Sequence, residues 1–150
     1  MSGATGEDMH LRRLTGPALK RIHHLLQSEA ARELEPLGLR GATWAALSVI
    51  CDRPGLRLSQ LAELLGAEKS NTVVSVETLE SAGLIERERE ENDRRALSLC
   101  PTEKGRALCA RANGLVAAQE ERALKSLTAR EKARLLSLLR KIDPPVGDRS

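Results

Sequence analysis

The sequence predicts a mainly α-helical chain with a small β wing: a winged helix-turn-helix core framed by helices that pair with a second subunit. Three observations predict it. The stretches Leu58–Leu65 and Lys69–Ala82 carry helical apolar spacing, and each is stopped by a glycine, Gly66 and Gly83. The run Glu86-Arg87-Glu88-Arg89-Glu90 alternates in charge with the period of a strand and is followed by a return segment, Leu97-Ser98-Leu99. The segments on either side carry apolar helical stripes for which one small domain offers too little surface, which predicts a dimer interface over the alternative of an intramolecular bundle.

The elements follow in order. Met1 to Asp8 is small and polar and reads as a mobile tail, with no secretory signal. A long helix is expected from about Met9 to Leu34, with Leu19, Ile22, Leu25 and Leu26 at helical spacing. Pro17 fits only near a helix start or at a kink, so the first residues can form a separate turn. Pro36 and Gly38 end this helix, and a second is expected from about Ala42 to Cys51, with Trp44, Leu47 and Ile50 on one face. Arg53-Pro54-Gly55 breaks it, and Leu56–Leu58 can add a short third strand beside the wing.

In the helix-turn-helix, Ser59 is the expected cap of the first helix, with Leu61, Leu64 and Leu65 on its apolar face. The second helix carries Val73, Val76 and Leu79. The wing starts at Leu84-Ile85, turns through Glu91-Asn92-Asp93-Arg94 and returns with Leu97 and Leu99 both expected to face the core. Thr102 caps a following alanine-rich helix that runs to about Lys125. Thr128-Ala129-Arg130-Glu131 is a capping box for the last helix, whose stripe is Leu135, Leu138, Leu139 and Ile142. Pro144-Pro145 ends it.

In such an architecture the second helix enters a DNA major groove. Lys69, Ser70, Asn71, Thr72 and Ser75 are its candidate readers, set in its first turns. Asparagine pairs bidentately with adenine, and serine or threonine bonds several bases. In the wing, Arg87 and Arg89 share one face and the glutamates the other. Arginines near a hairpin tip can reach the minor groove and its phosphates.

The runs Gly83-Leu84-Ile85-Glu86-Arg87, Asp93-Arg94-Arg95 and Thr102-Glu103-Lys104-Gly105, with Gly38-Leu39, Trp44 and Leu47, resemble the MarR family of bacterial transcription regulators. The resemblance runs from about Leu11 to Ile142. It implies a homodimeric winged-helix repressor of double-stranded DNA, often released by a small-molecule effector. It implies that Arg95, with Arg94, contacts the minor groove and backbone and that Asp93 braces the wing. It also implies one domain over 1–150, with a winged core at about 40–101 and dimerisation helices at about 9–35 and 103–143. An effector would lie between those helices and the core, which makes His23 and Trp44 the candidate contacts. The chain departs from the family in two places. Val74 stands where an arginine is common, and the wing carries Glu86, Glu88, Glu90 and Glu91. Those departures favour the alternative, a ligand sensor or protein-interaction module with weak DNA affinity.

Composition narrows the remaining classes. The chain has 150 residues, a net charge of +3 and a pI of about 9.0, as suits a duplex binder with local positive charge. One Trp and no Phe or Tyr disfavour modules that stack single-stranded bases on aromatic rings. Cys51, Cys100 and Cys109 are an odd set with no close pairs, which fits a reducing cytoplasm. Cys109 has Arg106 and Arg111 near it in sequence, but the first helix lacks the cysteine found in the family's oxidation sensors. No apolar run approaches a membrane span. His23 and His24 leave a helix about 100° apart, so they do not share a metal. Neither a Gly-x-Ser-x-Gly elbow nor a phosphate-binding glycine loop occurs, so no enzyme, metal or cofactor is expected.

Overall fold

Residues 10–90 and 93–143 are described in a computed structural model, with positions 90 and 93–96 described by backbone alone. A helical turn at residues 10–12 gives way to an extended Leu14, with φ −91° and ψ 137°. Helix α1 (Thr15–Leu34) then begins, and Pro17 falls in its first turn, where a missing N–H leaves no bond unmade. A 3₁₀ turn (Glu35–Leu37) leads to α2 (Gly41–Asp52). Thr43 starts α2 by accepting the Arg40 N–H at 2.9 Å.

Helices α3 (Leu58–Leu65) and α4 (Lys69–Ser81) form the helix-turn-helix. Ser59 does not cap α3. The helix begins one residue earlier, at Leu58, because the Gln60 side chain reaches back and accepts the Arg57 N–H at 2.9 Å. Gly66 closes α3 in the left-handed region at φ 59°, and the Ala67 N–H bonds the Ala62 carbonyl at 3.1 Å. That turn aims α4 across α3.

Strand β1 (Ile85–Glu90) pairs antiparallel with β2 (Asp93–Pro101). Arg87 lies opposite Leu99 and Arg89 opposite Leu97, whereas Glu86 and Glu88 lie opposite Cys100 and Ser98. The arginines and these glutamates therefore occupy opposite faces, as the alternation predicts. The two leucines part company. Leu99 is buried at the base of the wing, but Leu97, farther out along the arm, is 43% exposed and does not face the core. The expected third strand reduces to a single bridge, Leu56 to Leu99, with the Leu99 N–H bonding the Leu56 carbonyl at 2.8 Å.

Helix α5 (Glu103–Ala123) and helix α6 (Ala129–Ile142) complete the chain. Both predicted caps are present. Thr102 accepts the Gly105 N–H at 3.0 Å, and Thr128 accepts the Glu131 N–H at 3.3 Å. The core joins Leu34 of α1, Leu47 and Ile50 of α2, Leu61 of α3, Val76 and Leu79 of α4, the wing base at Ile85 and Leu99, and Ala112 of α5. Gln119 donates to Glu29 at 2.8 Å, and Arg122 pairs with Glu33 at 2.5 Å, which lashes α5 to α1. No residue of α6 is buried.

Candidate nucleic-acid interface

Helix α4 has two faces, set by a turn of about 100° per residue. Thr72, Ser75, Val76 and Leu79 form the buried stripe. Lys69, Ser70, Asn71, Val74, Glu77 and Thr78 are exposed. The structure thus splits the five predicted readers. Lys69, Ser70 and Asn71 stand in solvent, whereas Thr72 is 2% and Ser75 is 7% exposed. Thr72 donates its hydroxyl to the Glu68 carbonyl at 3.0 Å, which ties down the first turn of α4. Thr72 and Ser75 line a cavity of about 150 Å³ with Ala42, Ala45, Leu65, Ala67 and Asn71, and their own burial, which exposed Asn71 does not share, takes them out of reach of a groove. Chain adjacency misled the sequence reading, which grouped residues of the first turns without assigning them to faces.

The wing is braced against α4. Arg87 Nε donates to Glu80 Oε2 at 3.1 Å, joining the first strand to the last turn of α4. The pair is partly exposed, so its value is in placement more than in energy. Glu88, on the opposite face, lies beside Cys100, whose thiol is pushed up by burial and by that carboxylate. The side chains of Asp93, Arg94 and Arg95, the predicted tip contacts, lie outside the described residues, as does the turn at 91–92.

A second brace joins α4 to α5 through the junction at Gly83 and Leu84. Thr102 donates its hydroxyl to the Gly83 carbonyl at 2.7 Å, and its N–H bonds the Leu84 carbonyl at 3.0 Å. Lys104 Nζ donates to the Ala82 carbonyl at 2.9 Å. Gly105 is buried so close that a Cβ there would meet the Leu84 oxygen at 1.9 Å. The Thr102–Gly105 segment therefore reaches beyond capping and clamps the end of the reading helix to α5. Only the Thr-x-x-Gly spacing hinted at this.

The two candidate effector contacts are not brought to one cavity. Trp44 is half-buried and donates its indole N–H to Asn113 Oδ1 at 2.7 Å, beside the Ser48 hydroxyl, which donates to the same oxygen at 2.8 Å. With Asn113, Val116, Ala117, Glu120 and Glu121 it lines a cavity of about 310 Å³ between α2 and α5. His23 stands exposed on α1, outside that cavity. Asn113 is the residue the sequence reading missed, since nothing in its own surroundings marks it. Asn113 also donates to Cys109 Sγ at 3.5 Å. Cys109 is buried beside Cys51, far away in sequence but a neighbour in the fold, and the Arg106 guanidinium is close enough to act on Cys51. Burial and the Cys109 thiol push the Cys51 thiol up to about 12, so it stays protonated at neutral pH. Among the described residues no cluster of His, Cys, Asp or Glu is suited to a metal, and no helix is long and apolar enough to cross a membrane.

A larger and more apolar cavity, about 450 Å³, is lined by Leu19, Ile22 and Leu26 of α1 and by Leu135, Leu136 and Leu139 of α6. It lies among the helices outside the winged core.

Residues 37–96, which hold the helix-turn-helix and most of the wing, match the MarR family profile. The chain is 31% identical over 127 residues to the HTH-type transcriptional repressor Rv2887 of Mycobacterium tuberculosis, covering 85% of this chain and 91% of the relative. Its fold superposes with a TM-score of 0.85 on the transcriptional repressor CouR bound to a 23-mer DNA duplex, at 34% identity, covering 95% of this chain and 99% of that one. The structure of Rv2887 in complex with salicylic acid is similar at a TM-score of 0.71 and 30% identity, covering 86% of this chain and 96% of that one. With its braced reading helix and wing, the chain belongs to the MarR family of transcription regulators.

Proposed function

We propose that this chain acts as a cytoplasmic homodimeric repressor, whose two winged cores grip successive major grooves of a DNA duplex and release it when a small molecule binds. One observation carries the DNA reading. The exposed first turn of α4 presents Lys69, Ser70 and Asn71, and the wing is tied to the last turn of the same helix through Arg87 and Glu80. The likeness to a repressor solved on duplex DNA supports the same reading. In it, Lys69 meets phosphate, while Ser70 and Asn71 meet base edges. Arg94 and Arg95 enter the flanking minor groove with Asp93 as brace, a role that rests on the family resemblance. Thr72 and Ser75 shape α4 from within and touch no base. The winged core spans about 40–101, and the helices at about 9–35 and 103–143 join the subunits. The cavity beside Trp44 and Asn113 lies between core and framing helices, which supports it as the effector site. A regulator of this kind performs no catalysis.

Fluorescence anisotropy with the promoter duplex beside the protein's own gene tests the proposal. Nanomolar, sequence-selective binding is expected. Micromolar, sequence-blind binding would favour the alternative of a sensor or protein-interaction module, toward which the exposed Glu86 and Glu88 point.

A further inference from the structure

Val74 occupies the middle of the outward ridge of α4. At about 100° per residue it stands roughly opposite the buried stripe of Thr72, Ser75, Val76 and Leu79. It is 62% exposed, more than any other large apolar side chain of the described winged core. Ser70 lies one turn before it and Asn71 three residues before it, so the three share one face. Its backbone carbonyl accepts the Thr78 hydroxyl at 2.8 Å, and its methyls are uncovered.

Such a side chain can meet a base edge only through apolar contact. In the major groove, the apolar feature that a base edge offers is the C5 methyl of thymine. Against guanine, the same valine would strip water from O6 and N7 and return no hydrogen bond, which is unfavourable. A β-branched residue in a helix is also held in one dominant rotamer, so its methyls are already placed. We propose that Val74 is a specificity-determining residue that reads a thymine methyl in each operator half-site, next to the base pair met by Asn71. This inference rests on α4 being the reading helix.

The test uses the full-length dimer and its promoter duplex. Each thymine is replaced in turn by deoxyuridine, which removes the methyl and nothing else. Affinity is expected to fall about three- to fivefold at one thymine per half-site, the scale of one buried methyl group. In Val74→Ala, which keeps only the Cβ methyl, those losses should shrink markedly, while the preference at the Asn71 position persists. The substitution is exposed and favours helix, so the variant should fold, which circular dichroism checks. Selective binding with the same uracil profile in both proteins would overturn the role of Val74 and leave the DNA reading intact. Sequence-blind binding by the wild type would overturn both.

Discussion

Asn71 and Thr72 are consecutive residues about 100° apart on α4, and that rotation leaves one exposed and the other buried, which assigns them different work. Asn71 is exposed, whereas the Thr72 hydroxyl is spent on the Glu68 carbonyl inside the fold. Asn71→Ala should therefore relax the preference at one base-pair position by about 1–3 kcal/mol and leave thermal stability nearly unchanged. Thr72→Ala should lower the melting temperature and weaken all operators alike, since it loosens the first turn of α4. Binding across a sequence library, paired with thermal melts, separates the two patterns. A site-specific change in Thr72→Ala would contradict its interior placement. Charge acts differently again. Arg95→Ala should weaken binding to every duplex and reduce the slope of log affinity against log salt by about one. A salt titration with unchanged slope would remove Arg95 from the phosphate and groove contacts.

At the scale of elements, helix ends carry much of the information. Thr102 and Thr128 were legible as caps because their chemistry is local: a hydroxyl, then an N–H three residues on. Ser59 was misread for the same reason, because a good capping residue lies one position inside a helix that Gln60 starts instead. Leu97 was misread because period-two patterning assigns a face but not how far the core extends beneath it. Two predictions belong here. Gly105→Ala would drive a Cβ into the Leu84 carbonyl oxygen, an atom fixed by backbone on both sides. It should destabilise the protein by about 1–3 kcal/mol, the usual scale of overpacking, and weaken DNA binding by shifting α4 against α5. An unchanged melting temperature and affinity would show that the clamp yields freely. The second concerns Glu131, whose carboxyl is held below its ordinary 4.5 by the Thr128 N–H and hydroxyl. A depressed carboxyl contributes stability that is present above the unfolded value and lost as pH falls through the folded one. The melting-temperature gap between wild type and Glu131→Gln should thus be widest near neutrality and close below about pH 4.5. A gap that is flat with pH would assign the cap to the threonine alone.

For the molecule as a whole, proximity across the chain was the least legible property. Neither the meeting of Cys51 with Cys109 nor the bond from Trp44 to Asn113 leaves a local trace, because each joins segments about sixty residues apart or more. The apolar excess of the framing helices was legible, since helical spacing alone counts the faces that need covering. The fold sharpens that count. Helix α6 buries none of its residues in its own chain, and it leaves Leu135, Leu136, Leu138 and Ile142 exposed, with Leu19, Ile22 and Leu25 of α1 exposed as well. A patch of this kind is characteristic of an interface, and burying it against a second copy offsets the entropy of association. Gln119 with Glu29 and Arg122 with Glu33 tie α5 to α1 within each chain. Half-sites on the order of 34 Å apart would fix how far apart the two α4 helices must stand. Placing charges in the patch by Ile22→Asp with Leu136→Asp should leave a folded monomer, because both side chains are already exposed within one chain. Sedimentation should then report the mass of one chain, and circular dichroism should retain most of the helix. Affinity for the full operator should fall at least a hundredfold, toward that of a single half-site, as the second contact ceases to be intramolecular. A variant that remains dimeric would place the subunit contact elsewhere, and a monomer with undiminished operator affinity would show that one winged core suffices.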